Sequence, residues 1–219
     1  MRPRTDDGSI LAPFCAQPAK AGPERIDPNQ EHEVRGEPLD YLAPRNESSQ
    51  GPWSAKNFAT GSELWSAQSS SKYRALSLNP NLATAWGFDG WMKMCFGEHN
   101  TAIEHEARAM RLSPLDPGRW AWHFHTALAH FFAGRYDEAA SEAEASLREQ
   151  PNHHGALRVV AASNALAGKM EQARQAMLRI RHLDPALRLS NLADTMPPLR
   201  RSEDCQSWAE GLRKAGLPE

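Results

Sequence analysis

The sequence predicts an all-α chain: stacked helical hairpins closed by a capping helix, behind a proline-rich N-terminal third. Three observations carry this prediction. The tripeptides Asn79-Pro80-Asn81, Ser113-Pro114-Leu115, Gln150-Pro151-Asn152 and Asp184-Pro185-Ala186 recur at intervals of 34, 37 and 34 residues. Between successive prolines lie two helical stretches parted by a glycine, Gly97, Gly134 or Gly168. Each glycine is followed five residues on by an alanine (Ala102, Ala139, Ala173), a register held in all three units. A period in the thirties with two helices inside it marks a repeat in which each unit buries its apolar face on the next.

Residues 1–72 differ in texture from the rest. Prolines at 3, 13, 18, 23, 28, 38, 44 and 52 interrupt every long helix,. The apolar residues there are scattered without period, too few to offset the entropy of ordering the backbone. This segment is expected to be a mostly disordered tail, with a short helix near Glu63 to Trp65.

From residue 73 onward, apolar residues fall at helical spacing. Tyr73 to Leu78 reads as the second helix of a partial unit (73–79), followed by units at 82–114, 118–151 and 153–185 and a capping region at 186–216. In Ala83 to Phe96, Trp86, Gly90 and Lys93-Met94 sit three or four apart, and Gly97 stops the helix,. Asn100 is placed to cap the next helix and Thr101 to open it, with Ala102, Ala109 and Met110 inward and Arg108 and Arg111 outward,. Helices follow at Trp122 to Ala133, Tyr136 to Glu149, His154 to Ala167 and Met170 to His182. The three extra residues of the middle unit belong in the turn Leu115-Asp116-Pro117-Gly118. Small residues (Gly90, Ala127, Ala161) stand where neighbouring helices approach closely. Ala186 to Leu192 can form a short helix, which Pro197-Pro198 breaks. Ser202 then starts a last helix with Cys205, Trp208, Ala209 and Leu212 on one side, stopped by Gly216.

Charge narrows the partners. With 25 basic and 27 acidic residues there is no general attraction to nucleic acid or to an acidic membrane,. Three separated cysteines (Cys15, Cys95, Cys205) form no disulfide framework,. No stretch approaches the ~20 apolar residues of a membrane span, and the apolar run Ile10 to Phe14 is too short and proline-broken for a signal peptide,. A cytoplasmic protein is expected.

Catalytic and metal chemistry find little support. No GxxxxGK[ST] loop, HExxH or CxxC occurs, so no cofactor or metal is expected,. The histidines (His99, His105, His123, His125, His130, His153, His154) read as polar residues on solvated or partly buried helix faces. Cys95, between Met94 and Phe96, reads as a packed thiol,.

The set Trp86, Gly90, Gly97, Ala102, Ala109 and Pro114 resembles the tetratricopeptide repeat. The second unit matches through Ala127, Gly134, Tyr136, Ala139 and Pro151, departing at His123 and Ser146. The third matches through Ala161, Gly168, Ala173 and Pro185, departing at Leu157 and Ile180. The resemblance implies a right-handed array of about three and a half hairpins whose first helices line a concave groove. The groove places would be Trp91, Met94 and Cys95; Phe124, Leu128, Phe131 and Phe132; and Arg158, Ala162 and Leu166. Trp91, Met94, Phe124, Leu128, Phe131 and Arg158 are the candidate partner-binding set. An apolar groove of this kind suits a partner helix or self-association, unless the C-terminal helix or the N-terminal tail fills it. A carboxylate clamp is not supported, since the corresponding places hold Gly87, Trp91, His125 and Val159.

The phrases at 109–117, 129–139 and 209–219 also look like the C-terminal repeat segment of bacterial, especially rhizobial, adenylate/guanylate cyclase-like and winged-helix regulatory proteins. Residues 1–72 are too short and proline-broken for a cyclase domain. The expected function is therefore non-catalytic protein–protein interaction. The alternative is a truncated regulatory segment of a nucleotide-cyclase or transcriptional signalling protein.

Overall fold

In the computed structural model, which describes residues 74–197 and 199–219, Gly97, Gly134, Gly168 and Gly216 all have positive φ, at 85°, 76°, 80° and 97°. Each ends a helix in the same way. The Glu98 N–H donates to the Lys93 carbonyl (2.8 Å) and the Gly97 N–H to that of Met94 (3.0 Å), and the same pair of bonds recurs at Arg135/Gly134, Lys169/Gly168 and Leu217/Gly216. This is the Schellman closure, which needs a left-handed residue and so favours glycine.

Among the described residues the main α-helices are α1 Ala83–Cys95, α2 His99–Leu112, α3 Arg119–Phe132, α4 Tyr136–Glu149, α5 His154–Leu166, α6 Met170–Leu183 and α7 Ser202–Ala215. A 3₁₀ segment, Leu189–Thr195, lies between α6 and α7, and residues 74–78 are helical. No strand occurs among the described residues, and no helix among them is long and apolar enough to cross a membrane. The expected disorder of 1–72 and the short helix at Glu63 to Trp65 lie outside the described residues.

Several boundaries differ from the sequence reading, each for a local reason. Asn100 is not a cap, because Glu98 both completes the Schellman turn and stands as N-cap of α2. The turn is thereby three residues long, and α2 starts at His99. Helix α3 begins at Arg119 rather than Trp122. Asp116 Oδ1 accepts from the Gly118 N–H (2.8 Å) and turns the chain into the helix early,. The connection before α3 runs 113–118, against 150–153 before α5. The extra length is therefore shared between that turn and the first turn of α3. The short helix expected at Ala186 to Leu192 is the 3₁₀ segment, shifted three residues on.

Each helix packs on the next along the chain, and α1, α3 and α5 also touch one another in order. The small residues allow this: Ala102, Ala127, Ala139, Ala161 and Ala173 are all fully buried. Helix α5 is enclosed on every side, with Ala156 to Ala165 buried throughout, Arg158, Ser163 and Asn164 among them. Helix α7 breaks the pattern. Instead of continuing against α6, it packs chiefly across α5 and reaches α3.

Candidate functional site

Helices α1, α3 and α5 together make one face, and it divides in two. One part of it, on α5 and the end of α3, lies under α7. Trp208 of α7 stands edge-on to Phe131 (ring centroids 5.3 Å apart) and tilted on Phe132 at 6.2 Å. Gly211 allows the closest approach, because a Cβ there would sit 2.9 Å from the Ala162 Cβ and 3.2 Å from the Leu166 Cδ1. The lead-in to α7 anchors it at the other end. The Arg200 N–H donates to the Cys95 carbonyl (2.9 Å), and Asp204 Oδ2 pairs with His99 Nε2 at 3.1 Å, both side chains buried.

This geometry corrects part of the expected groove surface. Met94, Cys95, Leu128, Phe131 and Ala162 are interior residues. Phe131 is filled in by Phe132, Tyr136 and Trp208. Burial pushes the Cys95 thiol far up, so it stays protonated. Arg158 is also buried rather than a groove cation. Its Nη1 donates to the Thr195 carbonyl at 3.2 Å, and its Nε has no hydrogen-bond partner among the described residues. Burial lowers its pKa, opposed by Asp184.

Another part of the same face keeps partly exposed rings. Trp91 of α1 lies on the His125 ring of α3 at 4.6 Å. Phe124 meets His153 edge-on at 4.5 Å, and Trp120 meets the same imidazole at 4.9 Å. Trp91, Phe124, His125, His153 and Trp120 therefore form one continuous aromatic strip across α1, α3 and the turn into α5. Gly155 makes room for the Phe124 ring. His153 also caps α5, its Nδ1 accepting from the Ala156 N–H (3.3 Å),.

One ring of the strip is tied to a buried carboxyl beneath it. His125 Nδ1 is 2.9 Å from Oε1 of Glu106, a fully buried carboxyl of α2. Burial, then the neighbouring Asp89, pushes Glu106 up; burial, then His153, brings His125 down to about 3. Both effects favour a neutral acid sharing its one proton with a neutral imidazole. Burial also takes His153 to about 4, with Arg158 and His154 adding to the shift.

Three more imidazoles bridge helices in the same manner: His105 to Asp89 (2.7 Å, α2 to α1), His123 to Glu142 (2.7 Å, α3 to α4) and His99 to Asp204. His130 accepts from Arg135 Nε at 2.9 Å. These histidines serve as interhelical ties, a role that their spacing in the sequence does not reveal. Among the described residues no three His, Cys, Asp or Glu side chains converge as metal ligands would. Trp120 and His153, absent from the expected set, had one legible signal, their flanking positions at the proline-marked turns.

No protein-family model matches this chain, and no curated protein matches it either.

Proposed function

We propose that this chain is a non-catalytic protein-binding module of tetratricopeptide-like hairpins that takes a partner segment on the aromatic strip. The observation that carries the reading is the strip itself: Trp91, Phe124, His125 and His153 are partly exposed, contiguous and mounted on α1, α3 and the turn into α5. Rigid aromatic rings offer large contact area with little side-chain entropy to lose, which is why they dominate interface energetics. The neutral states of His125 and His153 keep that surface apolar at physiological pH.

The titratable side chains supply the second support. Glu106, His125, His105 and His99 are held in pairs between helices, which suits them to holding the scaffold together. The partner would lie across Trp91 of α1, the middle of α3 and the turn into α5, beside the part of the face that α7 covers.

The test is site-specific photo-crosslinking in the source cells. A benzophenone amino acid at Trp91 or Phe124 should give a discrete protein adduct that is missing when it stands at the exposed Glu144 of α4. Identical adduct patterns from all three positions would overturn the assignment.

A further inference from the structure

The departure of α7 leaves the outward face of α6 without a covering helix. Met170, Met177 and Leu178 form its apolar floor, and Arg174, Arg181 and Lys214 border it. Leu178 is 65% exposed, among the largest exposures of any apolar side chain among the described residues. No acidic residue lines this cleft.

The register of the hairpins explains the arginines. Counted from the small residue of each second helix, Ile103 and Met110 of α2 correspond to Ala140 and Leu147 of α4 and to Arg174 and Arg181 of α6. In α2 and α4 these places are apolar: Ala140 is buried, and Ile103, Met110 and Leu147 are partly buried against the core. In α6 they are exposed cations on either side of an apolar ridge. The arginines stand seven residues apart, two helical turns or about 10 Å along α6. Each keeps free donors: Arg181 Nη2 donates to the Gly216 carbonyl at 2.8 Å, and Arg174 Nη1 lies 3.7 Å from Glu171.

We propose that this face docks an amphipathic helix of a partner protein. Its apolar side chains would cover Leu178 and Met170, and two acidic side chains, two turns apart, would pair with Arg174 and Arg181. Charge complementarity selects the occupant. A second copy in two-fold contact would set Arg174, Arg181 and Lys214 against their own counterparts, which costs energy. A carboxylate-bearing helix meets guanidinium groups suited to bidentate pairing. The surface is separate from the aromatic strip, and the proposal does not depend on that strip binding anything.

The test uses the full chain and two fluorescein-labelled helical peptides with a leucine stripe. One carries Glu at positions seven apart beside the stripe; the other carries Lys there. The Glu peptide should bind saturably by fluorescence anisotropy and weaken as salt rises. Leu178→Glu and the double variant Arg174→Glu/Arg181→Glu should each reduce its affinity at least tenfold with an unchanged thermal midpoint, because all three side chains are exposed. No saturable binding, equal binding of both peptides, or unaltered affinity in the variants would overturn the proposal. So would either rival occupant. A second copy would show as sedimentation of the wild type above monomer mass that Leu178→Glu abolishes. The chain's own residues 1–73 would show as faster proteolysis of that segment in Leu178→Glu.

Discussion

Trp208 and Phe131, 77 residues apart in the chain, meet edge-on with ring centroids 5.3 Å apart and planes 87° apart. This contact joins the last helix to the middle hairpin and decides which surfaces stay open. Both side chains are almost wholly buried. Trp208→Ala should therefore cost about 3–5 kcal/mol, the range for emptying a large aromatic site, read as a lowered midpoint in urea denaturation. The indole N–H has no partner among the described residues. Trp208→Phe, which dispenses with that N–H, should retain most of the stability.

Phe131→Ser and Phe124→Ser separate interior from surface on the same helix. Phe131→Ser should destabilise by at least about 3 kcal/mol, visible as loss of helicity on mild heating. Phe124→Ser removes a half-buried ring and should cost distinctly less, leaving the circular dichroism spectrum near normal at 25 °C.

Acidification should destabilise the fold. His125 and His153 have folded-state pKa values depressed to about 3 and 4, so between those values and the ordinary ~6.5 the unfolded chain binds more protons. Glu106 is shifted upward, so above the usual carboxylate range the folded chain holds one extra proton and offsets one histidine. His130 is lowered as well, so the histidines outweigh Glu106 and stability should fall as pH drops from 6.5 to 5, by about 1.4 kcal/mol per pH unit for each net proton. Glu106→Gln removes the offset and should steepen the slope. Denaturant titrations at three pH values would check both; a flat or reversed slope would show Glu106 and His125 to be an ion pair.

Two glycine substitutions isolate backbone from packing. A Cβ at Gly134 meets nothing within 4 Å, so Gly134→Ala should cost only the left-handed backbone term, about 1–2 kcal/mol,. Gly90 has no such φ, but a Cβ there would lie 2.7 Å from the Glu106 Cγ. Gly90→Ala should cost about 1–3 kcal/mol through overpacking and should disturb the titration of the Glu106–His125 pair, which NMR of the His125 ring would detect.

The helices were legible because their signals are local. A glycine in a left-handed stop, a proline after each hairpin and an alanine five residues past each glycine need no knowledge of the tertiary fold. The path of α7 was not legible. It rests on Trp208 finding Phe131 and on Gly211 meeting Ala162, contacts between elements far apart in the chain. Gly211, a small residue on the apolar side of a terminal helix, was the one hint of a close crossing. The imidazole–carboxylate ties were hidden for the same reason: His99 and Asp204 are 105 residues apart, and His125 and Glu106 are 19 apart. As a result, the expected groove residues Met94, Leu128 and Phe131 prove to be buried in the core. Trp91 and Phe124 lie on the part of the face that α7 does not cover.

The path of α7 is the claim on which the aromatic strip and the open face of α6 both depend. The most direct measurement is a nuclear Overhauser spectrum of the full chain with Trp208 and the phenylalanine rings selectively labelled. The account predicts cross-peaks from the Trp208 indole to Phe131 and Phe132. Cross-peaks from Trp208 to the methyl groups of Met170 and Met177 instead, as in a helix stacked on α6, would contradict it.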